Sequence, residues 1–269
     1  VSNTVVRILV SIISIPLILG VCVLGGMYFV GFTLLIGGIA FYEFISFSKK
    51  KETFGSFVIG LPAVVVFILN AYFKVIEFLP LLYIIVILAL LLELFRNKAS
   101  AILNVGVTLL GIFYIAAFTG ALVLLREYFV EYQRGAALII SVLATIWICD
   151  SAAYFFGLSF GKHRLFLRVS PKKSWEGAIA GFIFSLFAML AAKYFVLNFL
   201  SWIDVFALGF IVGTMGQIGD LIESLLKRDA GVKDSSALIP GHGGIFDRFD
   251  SLMYVAPIIF LYTKYFIAP

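Results

Sequence analysis

Charge is scarce in this sequence. Only 13% of the 269 residues are Asp, Glu, Lys or Arg, against roughly a quarter in soluble domains, and that excludes water as the main solvent. Cysteine and histidine are scarcer still, with two of each. Cys22 and Cys149 both fall inside apolar runs, which excludes a secreted disulfide framework and leaves them as small buried side chains. His163 and His242 stand far apart with no cysteine pair beside them, so a zinc site is not expected. No internal repeat of polar content is present either, which argues against an inverted-repeat transporter.

What is abundant is apolar: 62% of the residues are hydrophobic and 16% aromatic. Nine runs approach or exceed the roughly 18–20 residues that a helix needs to cross the hydrocarbon core. They cover about 8–26, 27–47, 56–73, 78–95, 101–125, 136–157, 178–200, 203–226 and 251–267. Backbone groups in lipid must be satisfied internally, so each run is read as a helix. The expected fold is an all-α polytopic integral membrane protein with about nine transmembrane helices. Pro16 and Pro62 are expected to kink theirs. The first run lies behind Arg7, is long for a secretory signal core and has no small-residue cleavage site after it, so it is read as retained.

An odd number of spans puts the termini on opposite sides. Fifteen of the 20 Lys and Arg residues fall on the N-terminal side, which makes that side cytoplasmic. Lys49, Lys50 and Lys51 need no role beyond orientation and attraction to anionic headgroups. The loops 157–177 and 227–250 differ, because they interleave cations with acids, glycines and both histidines. Residues 1–135 are accordingly read as scaffold and lipid access, and residues 136–269 as the catalytic half.

Asp150 lies in the last third of span six, where a carboxylate is costly unless it is paired, metal-bound or facing water. In span eight, Gly213, Gly216 and Gly219 precede Asp220, Glu223, Ser224 and Lys227. Glycines three apart let backbones approach closely, and those four polar residues share one helical face. A structural Glu223–Lys227 pair is the plainer reading of part of that face. Next come Arg228, Lys233, Pro240-Gly241-His242-Gly243-Gly244, Asp247-Arg248 and Asp250-Ser251. Glycines and a helix N-terminus suit phosphate, with His242 a phosphate contact and Asp250 or Ser251 alternatively a helix cap. Before span seven, Ser174 is read as the N-cap, Glu176 as a first-turn acid and Trp175 as an interfacial residue. Lys172 and Lys173 beside that helix start call for a polyanion.

Asp150, Asp220 and Asp247 all map to cytoplasmic span ends. Carboxylates inside a ring of Lys and Arg suit a hard divalent cation such as Mg²⁺ shared with substrate phosphates. Glu43 and Glu93, near the cytoplasmic ends of spans two and four, are read as interfacial charges, with support of the site as the alternative.

The run Ser224, Lys227-Arg228, Lys233-Asp234, Pro240, His242-Gly243-Gly244, Asp247-Arg248 and Asp250 resembles the signature of the phosphatidate cytidylyltransferases, which make CDP-diacylglycerol. Asp150-Ser151 and Ser170-Pro171…Lys173-Ser174 are similar to that family too, and Ala152 departs from the Gly that relatives often carry. The resemblance implies metal-site carboxylates at Asp220 and Asp247; Asp150, from its place in span six, and Glu223, from the acidic face of span eight, are further metal candidates. It implies catalytic cations at Lys173, Lys233 and Arg248. Contacts to CTP or lipid phosphate would fall to Lys172, Ser174, Ser224, Lys227, Arg228, His242, Gly243, Gly244 and Asp250. It further implies Mg²⁺ with K⁺ as an accessory ion, membrane lipid as surroundings, a homodimer, no nucleic-acid partner, and a prokaryotic inner-membrane enzyme facing the cytoplasm. The rivals are a CTP-dependent phytol- or dolichol-type kinase, which should lack the complete His-Gly-Gly…Asp-Arg…Asp run, and a transporter, whose acids should lie near the midplane.

Overall fold

The computed structural model describes residues 3–241 and 243–269. His242, expected to contact phosphate, lies outside the described residues, as does the side chain of Arg7. Nine long helices are found among the described residues: α1 Asn3–Leu24, α2 Gly26–Ser48, α3 Phe57–Phe73, α4 Phe78–Leu94, α5 Ala101–Arg126, α6 Tyr132–Phe160, α7 Trp175–Phe195, α8 Trp202–Asp229 and α9 Phe246–Phe266. Each falls on one of the apolar runs. Five segments, Gly26–Lys51, Ala101–Arg126, Tyr132–Phe160, Trp175–Phe195 and Trp202–Asp229, are long and apolar enough to cross a membrane. Ile8–Leu24, Phe57–Phe73 and Phe78–Leu94 are shorter apolar helices. Side chains such as Ile12, Ile13, Leu17, Leu94 and Ile102 are exposed. Apolar surface on that scale is stable against hydrocarbon and not against water. The chain is an all-α polytopic membrane protein.

The loop before α7 departs from helix. Strand β1, Arg164–Phe166, pairs antiparallel with β2, Ser170–Ser174, in the register Arg164↔Ser174 and Phe166↔Ser170. Outside the apolar runs the backbone need not be helical, so a polar hairpin is tolerated there.

The chain packs as two compact units. The first joins the chain up to Leu124 with Lys227–Phe249. Its core is α2, whose Val30, Ala40, Phe41 and Ile45 are fully buried. Gly60 of α3 leaves room for the ring of Phe41, and Gly37 of α2 lies close to Ile68 of α3. Phe246, fully buried, meets Phe44 and Tyr114 edge-on at ring separations of 6.1 and 5.8 Å. The contacts therefore group segment 227–249 with the N-terminal helices.

The second unit holds Leu125–Leu226 and Asp250–Pro269. Here α6 and α7 pack backbone to backbone. A Cβ on Gly177 would sit 2.5 Å from the Ala153 carbonyl, and one on Gly181 would sit 3.0 Å from that of Cys149. Cys149, and Cys22 in the first unit, are buried and in no disulfide among the described residues, in keeping with their apolar surroundings in the sequence. Helix α8 carries a π-helical turn at Val212–Gly216, whose following residue, Gln217, donates to the carbonyls of Gly213 (2.6 Å) and Ala178 of α7 (3.0 Å). Such turns shift a helix's register and often accompany functional sites.

Candidate active site

In the second unit the site begins with close helix approach. A Cβ on Gly213 would collide with Ser185 and crowd Phe182 of α7, and one on Gly219 would lie 2.6 Å from Tyr254 Cβ of α9. The spaced glycines therefore bring α8 against both neighbours, as their spacing suggests. Directly after Gly219 the approach places three carboxylates together. Ligand oxygens of Asp220, Glu223 and Asp250 all lie within 4.8 Å of one another. Glu223 is 1% exposed.

Two or three carboxylates at that spacing repel one another and favour a multiply charged cation. Their donor set is oxygen alone, which suits a hard ion such as Mg²⁺ and not zinc. Asp220 also forms an ion pair with Lys173, Nζ to Oδ2 at 2.5 Å, and lies 3.4 Å from the Ser224 hydroxyl. Lys173 stands on β2 immediately before α7. Its neighbour Ser174 caps α7 by accepting from Gly177 N at 3.2 Å, as its position in the sequence implies. Glu176, in the first turn, holds the hairpin by pairing with the His163 ring at 2.6 Å. Lys172 is exposed, and its carbonyl accepts from Arg164. Asp150 is exposed on α6 and Ala152 buried.

In the first unit a second carboxylate is held differently. Asp247 Oδ1 pairs with Lys227 Nζ at 2.6 Å, both side chains being less than 10% exposed. Asp247 Oδ2 accepts from Gly244 N (2.7 Å), Ser235 N (2.9 Å) and Ser235 Oγ (2.9 Å). Asp247 is thus the fixed point of the glycine segment. Gly243, at φ +85°, could not carry a side chain without strain, and a Cβ there would sit 2.6 Å from Asp247 Oδ2. Arg228 donates to the Val232 carbonyl at 2.8 Å, and Lys233 and Arg248 are exposed.

Three expectations are corrected. Glu43 and Glu93 are not interfacial charges, being 1% and 6% exposed. Glu93 pairs with Arg96 at 3.0 Å and accepts from Asn104 at 2.7 Å, while Glu43 accepts four hydrogen bonds from the segment 235–246. Neither Asp250 nor Ser251 caps α9, because that helix starts at Phe246. The polar sequence Phe-Asp-Arg-Phe-Asp hides this first turn from a hydropathy reading.

A Cβ on Gly244 would lie 2.5 Å from both Glu43 oxygens. Gly244→Ala is therefore expected to destabilise the first unit by about 1–3 kcal/mol, measurable as a lower thermal unfolding midpoint in detergent.

Residues 5–266 match the cytidylyltransferase family. Among the relatives is a phosphatidate cytidylyltransferase of Staphylococcus aureus (strain COL), 32% identical over 94% of this chain and 96% of its own length. The chain belongs to the cytidylyltransferase family. Proteins of the same name from Staphylococcus saprophyticus and Staphylococcus haemolyticus are 32% and 31% identical over the same shares. For a cytidylyltransferase, a carboxylate cluster beside a lysine of strand β2 is a chemically sensible arrangement: acids suit a cation, and a cation suits phosphate.

Proposed function

We infer that this protein is a phosphatidate cytidylyltransferase, transferring CMP from CTP to phosphatidic acid to give CDP-diacylglycerol and pyrophosphate. The observation that carries this reading is the near full-length likeness to relatives of that name. The membrane-spanning fold and the clustered acids support it. In this reading all nine helices span the membrane, the N-terminus is cytoplasmic and the chemistry takes place at the cytoplasmic face of a prokaryotic inner membrane. The unequal distribution of Lys and Arg supports that orientation. A homodimer and an accessory K⁺ are carried over from the family resemblance as parts of the same proposal.

An oxygen of the phosphatidic acid monoester attacks the α-phosphorus of CTP, a new P–O bond forms, and the bond from the α-phosphorus to the bridging oxygen breaks, releasing pyrophosphate. Phosphate monoesters lose their second proton near pH 6, so the nucleophile is already largely ionised at neutral pH and needs no strong base. The difficulty is electrostatic, since two polyanions must meet. Asp220, with Glu223 and Asp250, would hold Mg²⁺, which supplies charge neutralisation on the phosphates. Asp247, on the family resemblance, and Asp150, on its place near the end of α6, remain candidates for the same role. Lys173, Lys233 and Arg248 neutralise charge as it develops, and Lys172, Ser174, Ser224, Lys227, Arg228, His242, Gly243 and Gly244 serve binding and orientation. Phosphatidic acid enters sideways with its tails still in hydrocarbon, while CTP arrives from the cytoplasm.

The test supplies purified protein in detergent with labelled CTP and either phosphatidic acid or a prenol. Pyrophosphate and labelled lipid are expected with phosphatidic acid alone. Prenyl phosphate formed together with CDP would identify a lipid-alcohol kinase instead.

A further inference from the structure

We propose that Glu43 of α2 is a positioning residue for the nucleotide-handling segment, acting by capping α9 from another helix. The proposal rests on the cytidylyltransferase reading for its activity arm only. Glu43 Oε1 accepts from Ser236 Oγ (2.6 Å) and Ile245 N (3.0 Å), and Oε2 accepts from Ser235 Oγ (2.9 Å) and Phe246 N (2.8 Å). The first amides of a helix have no partner within it, and negative charge at that end is favourable. Glu43 meets both needs while lying some 200 residues away in sequence, at the buried end of a helix otherwise made of scaffold.

Its second grip is on Asp247. Ser235 Oγ lies 2.9 Å from Glu43 Oε2 and 2.9 Å from Asp247 Oδ2. A hydroxyl has one proton, so Ser235 serves one carboxylate at a time and ties the two together. Glu43 therefore fixes both ends of the segment 235–246 and, through Ser235, the orientation of Asp247. Gly244 is small because a side chain there would occupy the place of the Glu43 carboxylate.

Only a carboxylate fits. All four partners are donors, and the two backbone amides cannot turn into acceptors. Glutamine has the same shape, but whichever way its amide is turned, its NH₂ faces the N–H of either Ile245 or Phe246. Glu43→Gln should therefore loosen the segment without creating a cavity.

The experiment compares wild type and Glu43→Gln in detergent by amide hydrogen exchange over residues 235–246 and by kinetics corrected for folded protein. Exchange in that segment is expected to rise. The kcat/KM for CTP is expected to fall by roughly 10–100-fold, the scale of a misplaced site, while the KM for phosphatidic acid changes less than about threefold. Unchanged exchange, or a wild-type kcat/KM for CTP in folded Glu43→Gln, would overturn the proposal. A merely structural role would lower the unfolding midpoint and the folded yield and leave the kinetics of the surviving enzyme alone. If Glu43→Gln does not fold, Ser236→Ala removes one donor and leaves the charge. Faster exchange over 235–246 is then expected, and wild-type exchange would be fatal. Raised exchange in Glu43→Gln, with the wild type itself inactive toward CTP and phosphatidic acid, would reject the function and leave the positioning geometry standing.

Discussion

Asp220→Asn is expected to lower turnover of CTP with phosphatidic acid by about 10²–10³-fold, with folding and membrane insertion intact. The substitution keeps the shape of the side chain and removes the charge that faces Glu223, Asp250 and Lys173. About a third of the Asp220 side chain is exposed, so the loss of its ion pair with Lys173 costs little stability. Asp247→Asn is expected to be as inactive for a different reason. Lys227 would remain buried without the carboxylate that it faces at 2.6 Å, a loss on the scale of about 3–5 kcal/mol for a broken buried pair. Side by side, thermal unfolding should separate the two variants although activity does not. Near-normal turnover of purified Asp220→Asn would remove Asp220 from the chemistry.

The second large effect concerns the metal. Chelation by EDTA is expected to abolish turnover, and added Mg²⁺ to restore it. Glu223→Gln and Asp250→Asn should each raise the Mg²⁺ concentration for half-maximal activity. Each removes one negative oxygen ligand from a set of three, and hard cations depend on charged oxygen donors. At saturating Mg²⁺ their turnover should recover in part, which Asp220→Asn, deprived also of the partner of Lys173, should not. Steady-state assays across a Mg²⁺ series check this. An unchanged Mg²⁺ requirement in both variants would mean that these carboxylates are not ligands.

Hydropathy alone located every long helix among the described residues, because length in lipid is a strong constraint and apolar runs in this chain are separated by short polar breaks. Gly213 and Gly219 were legible for the same reason: close packing in membranes favours small residues at helical spacing. Ser174 was legible as a cap because its role is local. Three features escaped. The first turn of α9 is polar, so its helix seemed to start later, which left a cap open as an alternative for Asp250 or Ser251; once the helix begins at Phe246, Asp250 lies with Asp220 and Glu223. Glu43 is one acid at the end of an apolar helix, and nothing near it in sequence announces partners 192 to 203 residues away. The grouping of 227–249 with the N-terminal helices depends on aromatic contacts of Phe246 that periodicity cannot reveal. Local chemistry and burial length were written in the residues; long-range polar pairing was not.

Metal binding at Asp220, Glu223 and Asp250 is tested most directly by titrating Mn²⁺ into purified protein holding CTP and following the bound ion by electron paramagnetic resonance. Saturable Mn²⁺ binding is expected in the wild type, displaced by Mg²⁺, weakened in Glu223→Gln and Asp250→Asn and lost in Asp220→Asn. Binding of equal affinity in all four proteins would contradict the assignment.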